Sequence, residues 1–315
     1  MPQFKNILTL IDKAIEKFNK RIPASQRAML DEIELELRRL DLSGDKIKTT
    51  VANLKIVNSI KNKLQRLILT DDYRTDVKEF VRAFNDVTKL QNEYWKGIES
   101  TFKPRPLLRE IRKSAITDTV KALGEAGIGT AIGEQIAGIL RTNITAGGAY
   151  KQLTGQLRES LTDTVTPGLL SKYAKQISVD SIQQYNRTYT NTVSGDLGFD
   201  FFAYQGSDIT TTRHFCDALT DRRYFHVSEV PGLLKADDLY YSTDDGGKKK
   251  VEIYDKTGLP QGMIPGTNPE NFFIRAGGYN CQHSIRPVSE TLVKSSAPDE
   301  YNRIINSAVY KRWKG

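Results

Sequence analysis

The sequence predicts an α+β protein, mostly α: a helical amino-terminal region followed by a small mixed α/β carboxy-terminal module with short strands. Three observations carry this. Over the first hundred residues apolar side chains return at helical spacing in four long stripes. After Gly198 the pattern changes to short pieces in which side chains alternate, as on a pleated strand. Both cysteines and all three histidines then fall between residues 214 and 283. That window marks a compact local structure joining distant segments.

The helical region is justified stripe by stripe. Phe4, Ile7, Leu8, Ile11, Ile15 and Phe18 form the first; Met29, Ile33, Leu37 and Leu40 the second. Val51, Leu54, Val57, Leu64 and Leu67 form the third; Val77, Phe80, Phe84, Val87, Tyr94 and Ile98 the fourth. Pro23, Ser43-Gly44 and Thr70-Asp71 interrupt them, and a Thr or Asx cap suits the last break. Short loops between long helices predict an antiparallel bundle. Some stripes are also available to partner helices in an assembly. Thr101 to Pro106 is a linker with two prolines, and a helix over 107–123 follows. Ile132, Ile136, Leu140 and Ile144 make an i, i+4 ridge, and a small helix is expected over 150–161. Thr166-Pro167 reads as an N-cap with proline in the first turn of a helix running to about Ser194. The glycines at 124, 127, 129 and 133 are not a phosphate loop, because no Lys-Ser/Thr follows them.

In the carboxy-terminal part, 199–204 reads as a strand and 285–288 as a last one. The turn Asp244-Asp245-Gly246-Gly247 predicts a hairpin pairing 239–242 with 250–254. Residues 258–270 are rich in Gly and Pro, and a short helix is expected in the tail, 297–315. The expected organisation is therefore 1–103, helical bundle or assembly arm; 104–198, helical part of the module; 199–290, β-rich Cys/His module; 291–315, helix and basic tail.

Composition narrows the class. A chain of 315 residues can bury a real core and divide into two or three domains. Apolar content of 38% with 27% charge suits a soluble protein with much helix surface. No window approaches 18 uncharged apolar residues, and the first residues lack a signal-peptide core, so no membrane partner and a cytoplasmic site of synthesis are expected. The net charge of +8 is uneven: residues 1–150 hold 26 Lys/Arg against 19 Asp/Glu. The densest cluster is Lys103, Arg105, Arg109, Arg112 and Lys113. It is a candidate for non-specific DNA contact through phosphates. A solvated helix face is the plainer alternative, because no aromatic residue interleaves with it.

The phrases of the second half come in a telling order. They are Gln184-Tyr185-Asn186-Arg187-Thr188-Tyr189-Thr190-Asn191-Thr192; a strand from Phe199; Asp208 to Leu219, containing Arg213-His214-Phe215-Cys216; Arg223-Tyr224-Phe225-His226; and Arg275-Ala276-Gly277-Gly278-Tyr279-Asn280-Cys281-Gln282-His283 before Ile285-Arg286-Pro287-Val288. This order, over about residues 126–290, resembles the carboxy-terminal module of phage minor head proteins, the Mu F-like or SPP1-type head morphogenesis family. Asp208, Arg213, Arg275 and Asn280 match the family's structural motif. Many members carry Cys-x-x-Cys in the first phrase and His-x-Asn-Cys-x-Cys in the second. This chain has one Cys in each, with His283 in the place of the last Cys.

Several chemistries are open to the Cys/His window. Residues two apart in an extended stretch point to one side, so Cys281 and His283 can converge on one ion. With Cys216 and His226 they make a Cys₂His₂ set suited to one tetrahedral structural zinc. The alternatives are two buried thiols beside hydrogen-bonded histidines, a Cys216–Cys281 disulfide, or a Cys nucleophile with a His base. For Arg275 and Arg286, beside Gly277-Gly278, a salt bridge fixing the loop is expected. The glycines themselves signal close approach of backbone.

The resemblance implies a virion protein without catalysis. Such a protein acts in head morphogenesis at the portal or inner capsid, partners portal and capsid proteins, is oligomeric in the particle, and is assembled in the host cytoplasm. The alternative class is a metal-dependent nuclease or toxin-like effector built on a phage head module. His214, Asp217, Asn280 and His283 offer nuclease residue types, but in no recognisable spacing.

Overall fold

The computed structural model describes residues 2–67, 70–163, 166–206 and 212–315. The elements follow in chain order: α1 (Pro2–Asn19), α2 (Ile22–Leu37), β1 (Leu42–Ser43), β2 (Lys46–Ile47), α3 (Val51–Leu67), α4 (Asp71–Ile98), α5 (Pro106–Leu123), a π-helical turn (Glu125–Gly129), α6 (Thr130–Thr145), α7 (Tyr150–Leu161) and α8 (Leu169–Asp196). The remainder is mixed: β3 (Phe201–Gln205), α9 (His214–Arg222), β4 (Tyr224–His226), α10 (Val230–Leu233), β5 (Tyr240–Ser242), β6 (Lys248–Lys250), β7 (Ile253–Tyr254), β8 (Leu259–Pro260), α11 (Phe272–Arg275), β9 (Ser284–Val288), α12 (Glu290–Ser296), α13 (Pro298–Asn306) and α14 (Ala308–Lys314). The fold is α+β and mostly α, as expected. It forms two compact units, residues 1–103 with 112–178, and residues 104–111 with 179–315.

In the first unit most residues of the predicted stripes lie in the core. Phe4, Ile7, Ile11, Ile15 and Phe18 of α1 are buried, and α1 packs on α4. Phe18 meets Phe80 at 5.0 Å and Phe4 meets Tyr94 at 5.4 Å between ring centroids. Thr70 caps α4 by accepting from the Tyr73 amide, and Asp71 and Asp72 place negative charge at the helix's positive end. Trp95 is fully buried, and its indole N–H donates to Gln91 in the preceding turn at 2.9 Å. The α6 ridge, Ile132, Ile136, Leu140 and Ile144, is buried without remainder.

Three details of this unit correct the sequence reading. Val51 opens α3 but is 71% exposed; the inward face is Asn53, Ile56, Val57, Ile60 and Leu64. Ser43-Gly44 opens a small hairpin, β1 against β2, with Gly44 and Asp45 at its turn. Buried Asn53 ties that hairpin down: its amide donates to the carbonyls of Asp41 and Lys48 and accepts from the Asp41 N–H. Helix α8 starts at Leu169, not at Pro167. There Asp163 reaches forward to accept from the Gly168 amide at 2.7 Å and the Ser171 hydroxyl at 2.8 Å.

The second unit is organised by one antiparallel sheet, order β4-β3-β9. Alternation along β3 sorts two cores. Phe202 and Tyr204 face Phe215, Cys216, Phe225, Phe272, Phe273, Cys281 and Ile285. Phe201 and Ala203 face Tyr224, Val288, Val293, Ile304 and Tyr310, so the carboxy-terminal helices cover that side. The tail, 297–315, holds two helices rather than one, and α12 precedes them; Ser289 and Ser307 are the N-caps of α12 and α14. The predicted hairpin is two hairpins: Tyr240–Ser242 pairs with Lys248–Lys250, and Ile253–Tyr254 with Leu259–Pro260.

Candidate metal centre

Cys216 lies in the first turn of α9, Cys281 and His283 in the loop before β9, and the sheet brings these segments together. The donor atoms of Cys216, Cys281 and His283 lie within 4.8 Å of one another, and all three residues are buried. The cluster could hold a metal ion.

The loop carrying Cys281 and His283 is fixed from several sides. Arg187, buried in the middle of α8, donates Nε to the His283 carbonyl at 3.1 Å. Its Nη2 donates to the carbonyls of Cys281 and His283 at 2.5 and 2.6 Å, and Nη1 to that of Ile274 at 3.3 Å. Arg187 belongs to an inward polar stripe, Gln183, Asn186, Arg187, Thr190 and Ser194, at helical spacing. Arg213 donates to the carbonyls of Gly277, at 3.1 Å, and Tyr279. Asp180 accepts the Asn280 amide at 2.6 Å. Ala276 and Asn280 both adopt positive φ, 43° and 55°, which L-residues rarely do. The loop is thus held by charge-assisted bonds against backbone strain.

Glycine is demanded here by space. A Cβ at Gly277 would stand 2.3 Å from Cys216 Sγ, 3.0 Å from Cys281 Sγ and 3.0 Å from the Tyr204 hydroxyl. A Cβ at Gly206 would strike the His283 ring at 2.3 Å. The bare backbone at Gly277 therefore lets two sulfurs and a phenol pack directly against it. Two thiols and an imidazole are a donor set that fits a borderline-soft divalent ion.

The electrostatics favour one thiolate. The Cys216 thiol and Cys281 share a hydrogen bond that pushes Cys281 well below the usual thiol range and Cys216 up. The Arg187 guanidinium and His283 also draw Cys281 toward its ionised form. Burial pushes the Tyr204 phenol well up, and burial raises Asp180 to about 6.

His226 does not join this site. It pairs with Phe201 across β3–β4 and so lies on the opposite face of the sheet. Its ring packs against Phe201, Tyr310 and Trp313, and Nδ1 accepts the Ser228 amide as the cap of a short helical turn. His214 stacks on Tyr241 at 3.8 Å. Of the motif residues, Arg213 and Asn280 converge on the loop, while Asp208 lies outside the described residues. Arg275 fixes the chain through the Pro265 carbonyl at 3.1 Å, not through a carboxylate. Of the basic cluster, Arg109, Arg112 and Lys113 lie on α5, and Lys103 and Arg105 in the segment that precedes it. Arg105 is paired with Asp196 at 2.5 Å.

Sequence reasoning named the three ligand candidates but missed the roles of Tyr204 and Arg187. Tyr204 shares the alternation that puts Phe202 inward, and an Arg inside an otherwise uncharged helical stretch was the available sign for Arg187. Among the described residues no helix is long and apolar enough to cross a membrane. Comparisons with family models, with curated proteins and with solved structures found no match.

Proposed function

We propose that this chain is a structural minor head protein of a tailed phage, acting in head morphogenesis at the portal or inner capsid. One observation supports this reading above the order of the phrases. Arg187 of the helix phrase and Arg213 of the first Cys phrase both donate to carbonyls of the closing phrase. Phrases far apart in the chain are therefore parts of one interlocked module. The helical first unit supplies assembly surfaces, and the excess of basic residues in 1–150 supplies weak, sequence-independent contact with packaged DNA.

In this reading Cys216, Cys281 and His283 hold one structural zinc that staples the loop to α9. At 2%, 3% and 5% exposure these side chains lie out of reach of a macromolecular substrate, which favours a structural role over a nuclease centre. A structural zinc supplies folding free energy and no reaction step.

The test is stoichiometry. Particles purified from the producing cells contain the chain at a fixed ratio to the portal protein, and the isolated protein leaves DNA intact with magnesium, manganese or zinc. Absence of the chain from particles, or metal-dependent cleavage lost in Cys281→Ser, would refute the reading.

A further inference from the structure

We infer that Tyr204 is the fourth donor of this centre, so that the ion sits between two thiolates, one imidazole and one phenolate; the inference rests on the metal reading above. Four-coordinate structural sites are closed by protein atoms. With His226 behind the sheet, a fourth ligand must come from elsewhere. Tyr204 is 1% exposed, and the pleat of β3 turns it onto the cysteine face. Its hydroxyl donates to Cys216 Sγ at 3.4 Å and lies 3.7 Å from Cys281 Sγ. Its ring stacks on that of His283, centroids 5.3 Å apart and planes 19° apart.

The oxygen–sulfur separations supply the independent argument. Bonds of about 2.3 Å to sulfur and about 2.0–2.2 Å to oxygen, at a tetrahedral angle, set the two atoms about 3.6 Å apart. The Tyr204 oxygen stands at that distance from both sulfurs, 3.4 and 3.7 Å. Gly277 lets the same three atoms crowd together, since a Cβ there would stand 2.3, 3.0 and 3.0 Å from them. Asp180, the nearby carboxylate, is already engaged by the Asn280 amide and lies outside the donor cluster. On binding, the thiol protons and the phenol proton leave to solvent, as ligand deprotonation requires.

Cobalt(II) serves as the spectroscopic probe on the full chain, and zinc as the spectrally silent ion. The metal-free protein titrated with cobalt develops thiolate charge-transfer and tetrahedral ligand-field bands. Tyr204→Phe keeps the charge-transfer bands, shifts the ligand-field bands and weakens cobalt binding on the order of 10–100-fold. His226→Asn changes neither. Zinc added to the unsubstituted chain produces one equivalent of tyrosinate absorption in the near ultraviolet, a readout that survives if Tyr204→Phe fails to fold. Absence of the tyrosinate signal, or a Tyr204→Phe spectrum and affinity equal to the parent's, overturns the Tyr204 assignment and leaves the metal reading standing. Loss of the bands in His226→Asn also overturns it. A parent chain that binds neither ion overturns both.

Discussion

Replacing Arg187 with Met removes a guanidinium while keeping a good helix former in α8. The guanidinium makes four donations into three carbonyls, those of Ile274, Cys281 and His283. Each buried carbonyl left without a donor costs about 1–3 kcal/mol. Three would sum to about 3–9 kcal/mol, but the variant also escapes the desolvation of a buried cation. The net expected loss is about 3–5 kcal/mol, as for breaking a buried charged pair. With a urea slope of about 1–3 kcal/mol per molar, that lowers the unfolding midpoint by about 1–5 M. Hydrogen exchange localises the effect: amides 274–284 should lose protection, while those of α1 and α4 keep theirs. Arg187→Lys should recover only part, since an ammonium cannot serve three carbonyls in a fixed fork. An unfolding free energy within about 0.5 kcal/mol of the parent's in Arg187→Met, the range of ordinary surface changes, would refute the clamp.

Two further outcomes follow from the packing. His226 is buried neutral and its pKa is held below the ordinary value near 6.5, first by desolvation, with Asp200, Glu229 and Glu290 pulling the other way. Above that value both folded and unfolded chains carry it uncharged; as pH falls below it only the unfolded chain takes the proton, so stability is lost on acidification. Its contribution to the slope is at most about 1.4 kcal/mol per pH unit, and urea midpoints of His226→Phe should lack that component; an unchanged slope between parent and variant contradicts the burial argument. Thr70→Ala removes the α4 cap and should cost about 1 kcal/mol, measured by thermal or urea unfolding, whereas Thr70→Ser should cost little; equal losses in both would show that the hydroxyl is not the capping group.

The long helices were legible because four or more turns give a stripe enough repeats to stand out. The short ones were not: α9 and α12 span nine and seven residues, too few for a period to declare itself. The hairpin error has a geometric cause. The turn at 244–247 was visible, but Thr243 and Gly247 bond directly, so the strands close immediately around it. The alternation through 251–254 belongs to a second pair. At the site, residue types revealed Cys216, Cys281 and His283, while the wrong fourth partner followed from counting soft ligands without faces. Once His226 is placed beside Phe201, parity along β3 sends it away from Tyr204. Arg187 works entirely through carbonyls, and carbonyl partners leave no mark in a sequence.

The central strand β3 has no idle side: every inward residue belongs to one of two cores, and which core depends only on odd or even position. One residue inserted within Phe201–Ala203 would bring Phe201 and Tyr204 into phase, so that both turned to the same core and the other lost its strand residue. Insertions in the exposed turn at Asp244–Gly246, between strands with no fully buried residue, meet no such parity. Natural length variation in this module should therefore collect in its outer hairpins, while the spacing from Phe201 to Tyr204 stays fixed even where the residues themselves drift.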